Sequence, residues 1–171
     1  MKLASIALTV LLSTGSFVWC HNEITLAVKI DTNFSGGNAK IATNAEKTVY
    51  LAPDLRGGRP WFYWCFQAES IKQGRVKFVF PENVAGFKNG AIGNQGPAIS
   101  TDGGKTWKWM GIAQVDGDSF YYDFEKADQR VRFAVTIPYV QRELDDFLKQ
   151  HKSNQHLKKS VLTMSRNGRE V

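Results

Sequence analysis

Apolar and polar residues alternate with period two along much of the chain, as half-buried strands require. Residues 23–30 (EITLAVKI) alternate in this way and predict a strand. Residues 48–51 predict a short one, stopped by Pro53. Residues 61–68 form a nearly continuous aromatic run, which fits a strand buried in the middle of a sheet. Residues 75–80 (RVKFVF) alternate strictly, with the valines and phenylalanines expected on one face and the basic side chains on the other. Residues 98–100 and 106–110 flank a turn, and 120–124 and 130–137 predict two more strands, the last ending at Pro138. Glycine, asparagine and proline mark 32–38, 54–60 and 81–97 as loops. Turn signals recur roughly every ten residues, the spacing of a mainly β, antiparallel β-sandwich.

The period changes after Pro138. Residues 141–151 (QRELDDFLKQH) place Leu144, Phe147 and Leu148 on one helical face. Glu143, Asp145 and Asp146 are then expected on its solvated side. Residues 152–159 are polar, 160–165 begin a further strand, and Asn167-Gly168 makes a turn shortly before Val171. At the other end, Lys2 precedes an apolar run over 3–12 and small polar residues over 13–16. This is the layout of a secretory signal peptide over residues 1–20, cut before His21. The run is too short for a transmembrane helix, which needs ~20 apolar residues. Cys20 also has the place of a lipoprotein cysteine, but Trp19 matches poorly. The expectation is export, to the outside or the periplasm, with no transmembrane anchor. The domain division expected is 1–20 signal, 21–140 sandwich, and 141–171 a helix and the start of a second domain.

Composition narrows the chemistry. The 171 residues are 43% hydrophobic and 22% charged, as in folded globular chains, and too few for a large two-domain enzyme. Two cysteines, Cys20 and Cys65, exclude a disulfide scaffold and a cysteine-only zinc site. Once the signal is removed, Cys65 remains as a lone buried apolar filler. The net charge of +6 is scattered, without an aromatic-interleaved basic stripe, so no nucleic-acid partner is expected. His21, His151 and His156 are badly spaced for zinc. Neither a Gly-x-Ser-x-Gly elbow nor a phosphate-binding Gly-Lys loop occurs. No catalytic and no metal-binding residue is assigned, and binding residues stay unassigned.

One local motif is specific. Ser100, Asp102, Gly104, Thr106 and Trp107 fit the Ser-x-Asp-x-Gly-x-Thr-Trp pattern of an Asp-box. The reading is a structural turn: Asp102 accepts backbone N–H bonds, glycine supplies positive φ, and Trp107 packs beneath. Sialidase propellers repeat such boxes, whereas this chain has a single copy.

Taken in order, several segments resemble the N-terminal region of zinc carboxypeptidases of the cytosolic-carboxypeptidase-like branch. They are the 61–66 aromatic strand, the 100–107 turn, the 130–137 strand running into Pro138-Tyr139, the 141–148 helix, and Ser165-Arg166-Asn167-Gly168-Arg169. The resemblance covers most of the chain after about residue 45. It implies a β-sandwich ahead of a catalytic α/β domain whose opening hairpin, begun by 165–171, is expected to be only half made at Val171. That family's zinc ligands, a His-x-x-Glu pair and a later His, its carboxylate-gripping Arg and its general-base Glu all lie beyond that hairpin. None falls on a residue of this sequence. The resemblance therefore implies a noncatalytic fragment, inactive alone. Its partner would be its own catalytic domain, with zinc and peptide substrate belonging to the parent enzyme. A second reading is a secreted carbohydrate-binding module, resting on Trp61, Trp64, Trp107 and Trp109. It requires those rings to be exposed.

Overall fold

The strands follow from the alternation, with differences that pairing explains. The computed structural model describes residues 27–56, 58–60, 63–81, 91–168 and 170–171. The expected signal peptide, Cys20, His21, the start of the 23–30 strand, Trp61, Phe62, most of the 81–97 loop and Arg169 lie outside the described residues. In chain order the strands are β1 (Val28–Asp31), β2 (Lys40–Ala45), β3 (Thr48–Ala52), β4 (Leu55–Arg56), β5 (Arg59–Pro60), β6 (Cys65–Ser70), β7 (Gly74–Val79), β8 (Ala98–Ser100), β9 (Lys108–Trp109), β10 (Val115–Asp116), β11 (Ser119–Phe124) and β12 (Arg130–Ala134). A single described helix, α1 (Gln141–Gln150), follows.

The strands make two five-stranded sheets in the orders β1-β6-β12-β8-β9 and β10-β11-β7-β3-β2, with β4 and β5 as a small separate hairpin. Pairing is antiparallel except between β3 and β7, which run parallel. The fold is thus a mainly β sandwich with a short C-terminal helix.

The inner faces interlock through aromatic rings. Phe66 and Phe133 are cross-strand partners in the first sheet, as are Phe78 and Phe120 in the second. The Phe78 ring lies 5.3 Å from Phe66, 5.0 Å from Phe120 and 5.1 Å from Phe133, centroid to centroid. Each such contact adds about 0.5–1.5 kcal/mol to what area burial alone supplies. Trp64 stacks on Phe80 at 4.5 Å, and its indole N–H donates to the Ala91 carbonyl, so its polar atom is satisfied inside the core.

Several expectations are corrected. In β7, Val76, Phe78 and Phe80 point inward, but Val79 shares the outer face with Lys77, because strict period two separates neighbouring residues whatever their type. The described part of the 61–68 run becomes strand only at Cys65, and β6 alternates: Phe66 and Ala68 are buried in the core while Gln67 and Glu69 are half-buried outside. β12 stops at Ala134, three residues short of 137. Its partners there, Cys65 and Ala98, are the first residues of β6 and β8, so the ladder has run out. The returning strand of the 98–110 hairpin is only Lys108–Trp109, because Thr106 and Trp107 belong to the turn. β2 and β10 arise where no strand was expected, and β4 and β5 arise inside the 54–60 loop.

α1 buries none of its residues. Leu144 and Phe147 share the expected apolar face yet remain 37% and 45% exposed. Beyond α1, Leu162 N–H donates to the Val171 carbonyl at 2.7 Å and Val171 N–H to Thr163 at 2.9 Å, with a bridge between Met164 and Glu170. The chain's last residues therefore close a small hairpin.

The ring arrangement makes Phe78 the most sensitive core position. Phe78→Ala is expected to cost about 3–5 kcal/mol, and Val79→Ala, on the outer face, less than about 1 kcal/mol. Urea unfolding of both variants checks this.

Candidate functional site

The outer face of the first sheet carries the site. Period two that sends Phe66 and Phe133 inward sends Cys65, Gln67 and Arg132 outward. Arg132 sits opposite Gln67 on one side and Ser100 on the other. Its Nε donates to Gln67 Oε1 at 3.2 Å, and its guanidinium lies 4.0 Å over the centre of the Phe34 ring. Beneath it, Cys65 is fully buried, as the sequence suggested, but on the outer face and not in the aromatic core. Burial pushes its thiol up to about 12, with the Tyr63 hydroxyl and the Arg132 charge only partly opposing this. The loop over Cys65 is pinned by Asn38, which accepts from Cys65 N–H at 3.1 Å and donates to the Tyr63 carbonyl at 3.1 Å. Tyr63 in turn donates its hydroxyl to the Gly36 carbonyl at 3.1 Å.

The second wall is the β8–β9 turn, which gathers all five residues of the Ser100–Trp107 pattern. Ser100 donates its hydroxyl to Asp102 Oδ1 at 2.8 Å and accepts Gly104 N–H at 2.8 Å. Asp102 also accepts Lys105 N–H at 3.0 Å, Thr106 N–H at 3.0 Å and the Thr106 hydroxyl at 2.6 Å. The Thr106 hydroxyl, followed by the Thr106 N–H, holds the Asp102 carboxyl far below the usual carboxylate range. Trp107 folds back so that its indole N–H donates to the Gly104 carbonyl at 3.1 Å. Gly104 is needed twice over. Its φ is +88°, and a Cβ there would lie 2.8 Å from Arg132 Nη1.

The third wall is the start of α1. Arg142 Nη2 donates to the Gly104 carbonyl at 2.9 Å, and the guanidinium also pairs with Glu143. Val140, the residue capping α1, has no side-chain acceptor, so Glu143 Oε2 accepts its N–H at 3.0 Å. Glu143 therefore leaves the solvated side expected for it and is half-buried in the wall. Burial alone would raise its carboxyl, but Arg142 and backbone N–H groups outweigh that and lower it. Asp145 and Asp146 stay exposed. Together the three walls enclose a cleft of about 210 Å³ lined by Phe34, Gly104, Trp107, Arg132, Arg142 and Glu143, among others.

Among the described residues of the cleft, no nucleophile is activated. The Cys65 thiol keeps its proton, and the Asp102 carboxylate is occupied by the turn. His151 and His156 are exposed and do not line the cleft. Among the described residues, no group of three or more His, Cys, Asp and Glu could hold a metal ion. No described helix is long and apolar enough to cross a membrane. Of the five tryptophans, Trp64 is fully buried, Trp107 is half-buried against the turn, Trp109 is 41% exposed, and Trp19 and Trp61 lie outside the described residues. Among the described residues, Trp109 is thus the single exposed indole. The cleft itself had no local signal in the sequence. Its residues span 34 to 143, and Arg132 reads there as an ordinary outward strand residue.

No protein-family profile and no curated protein sequence matches this chain. Solved structures do. A metallo-carboxypeptidase from Burkholderia cenocepacia superposes with a TM-score of 0.65 at 16% identity, over 84% of this chain and 37% of that one. A metallo-carboxypeptidase from Pseudomonas aeruginosa, solved with (2-guanidinoethylmercapto)succinic acid, gives 0.62 at 19% identity, over 84% and 38%. The fold of this chain is thus one found within bacterial metallo-carboxypeptidase structures. The chain spans less than two fifths of the length of either neighbour.

The turn makes two separable demands. Gly103→Ala meets only the positive φ, since nothing lies within 4 Å of its Cβ position, and is expected to cost about 1 kcal/mol. Gly104→Ala meets the same positive φ and also shifts the Arg132 guanidinium, the far end of a flexible side chain, so it is expected to cost about 1–2 kcal/mol; urea midpoints of the pair test the difference. The depressed Asp102 carboxyl stabilises the fold at pH values above about 3.9, its unfolded pKa. That contribution fades as the pH falls below this value towards the folded one. The gap in urea midpoint between wild type and Asp102→Asn should accordingly be full at pH 7 and shrink below pH ~4.

Proposed function

We propose that this chain is the noncatalytic N-terminal domain of an exported zinc metallocarboxypeptidase, packed in the parent protein against the catalytic unit. The observation that carries the reading is the unequal coverage. Most of this chain shares its fold with metallo-carboxypeptidase structures, while more than half of each neighbour has no counterpart here. The bare face of α1 supports it. Leu144 and Leu148 line an open groove of about 780 Å³ together with Val161 and Val171. Leu162, Met164 and Val171 are 86%, 56% and 60% exposed close by. Apolar surface collected in this way favours burial against another folded surface.

On this reading the domains divide at residues 20 and 140. The first twenty residues are the export signal, and α1 with the closing hairpin starts the catalytic unit. Zinc and the peptide substrate belong to that unit. The domain's own work is to hold the catalytic unit in place.

Coding DNA read beyond Val171 is expected to contain a His-x-x-Glu pair and a later His; a reading frame without them overturns the proposal. The double variant Leu144→Glu, Phe147→Glu should change the stability of this chain by no more than about 0.5 kcal/mol, because neither side chain is buried. In a protein carrying the catalytic unit, the same pair should lower the melting temperature.

A further inference from the structure

We propose that the cleft over Arg132 is a carboxylate-binding site, shaped for an acidic side chain of a polypeptide. Nothing in this inference depends on the carboxypeptidase reading. Arg132 is half-buried, yet among the described residues it has no carboxylate partner. Its one described hydrogen bond goes to the neutral Gln67 amide, from Nε. One face of the guanidinium is covered by Phe34, which leaves Nη1 and Nη2 without a described acceptor. A guanidinium withdrawn from water gains most from a planar two-oxygen acceptor meeting both terminal nitrogens.

The charges around the cleft agree. Arg132 and Arg142 are positive and Glu143 is negative, so the lining carries one net positive charge. Glu143 is not available to Arg132, because it is engaged by Arg142 and by the Val140 N–H. Asp102 is likewise saturated within its own turn.

Size and shape select the ligand class. About 210 Å³ is below the range of pockets for drug-sized molecules, and it suits one side chain or a small anion. Trp107, Pro138 and Val140 supply an apolar rim along which methylene groups can lie. The rigid geometry suits a preformed site. Gly104 lets the turn approach Arg132 closely, Phe34 fixes the guanidinium plane, and Arg142 ties the start of α1 to the turn.

The test titrates the full chain, isotope-labelled, with N-acetyl-glutamate α-amide, its neutral glutamine counterpart and sodium acetate. The signals followed are the Trp107 indole N–H and the Arg132 Nε–H. The expected result is saturable millimolar binding of the glutamate compound, with no saturable shift from the glutamine compound. Acetate binding more weakly assigns the rim contacts to a side-chain stem. Acetate binding equally well keeps the carboxylate site but assigns it to small free carboxylates. Arg132→Gln should weaken binding roughly tenfold or more, as loss of a charge-assisted hydrogen-bond pair requires. Arg132→Lys, which keeps the charge, should weaken it less and serves if the glutamine variant does not fold. Arg75→Gln, on the other sheet, should change nothing. Absence of a saturable shift with either carboxylate, equal shifts from the glutamine compound, or unchanged affinity in both Arg132 variants would overturn the proposal.

Discussion

The register between β6 and β12 governs both faces of this molecule. Phe66 opposite Phe133 and Gln67 opposite Arg132 are successive rungs of one ladder. The first rung belongs to the aromatic core and the second to the floor of the cleft. A slip of β12 by one residue would turn Arg132 into the core and Phe133 out of it. Core packing therefore positions the guanidinium. Phe133 is held by Phe66, Phe78, Phe120 and Tyr122, and Arg132 is its covalent neighbour.

The β8–β9 turn transmits this order outward. β8 is short, Ala98–Ser100, and fully buried. Its last residue donates to Asp102, and Asp102 closes the turn by accepting N–H and hydroxyl bonds from residues 105 and 106. The carbonyl of Gly104 then accepts from both the Trp107 indole and Arg142. One peptide group thus joins the turn to its own tryptophan and to the first turn of α1. A carboxylate consumed entirely in turn bonds stiffens the wall of a site without facing a ligand.

How legible this was depended on sequence distance. Alternation in 75–80 and 120–124 marked strands because one face of each is buried in a core of phenylalanines. The 141–151 pattern marked a helix because Leu144, Phe147 and Leu148 recur at helical spacing, and the Ser100–Trp107 turn was readable because the bonds that close it are local. β2 escaped because KIATNA mixes polar and small residues, with Ile41 itself 48% exposed and a register shift between Ile41 and Thr43. The parallel pairing of β3 with β7 has no local signature, since β3 meets a strand some thirty residues away. Val79 faces outward because pleat position, and not residue type, sets the side of the strand. The cleft was invisible for the same reason as the parallel pair: Phe34, Arg132 and Arg142 are brought together only by the folded sheet.

α1 shows why two surfaces of one small domain behave differently. The helix touches the sandwich through its first turn, where Val140 packs over Gly36 and Arg142 reaches Gly104. After that its apolar side chains meet little, as the exposure of Leu144 and Phe147 shows. A ten-residue helix is marginal in water on its own, and most helical stability in proteins comes from burying an apolar stripe. Here the anchored end supplies direction while the stripe stays uncovered. The cleft is the reverse case, a polar surface already organised by the sheet, with its internal hydrogen bonds largely complete. Burial against a further folded surface would add stability chiefly at the helix, where apolar area is still open to water, and would add selectivity chiefly at the cleft, where charge and shape are already set.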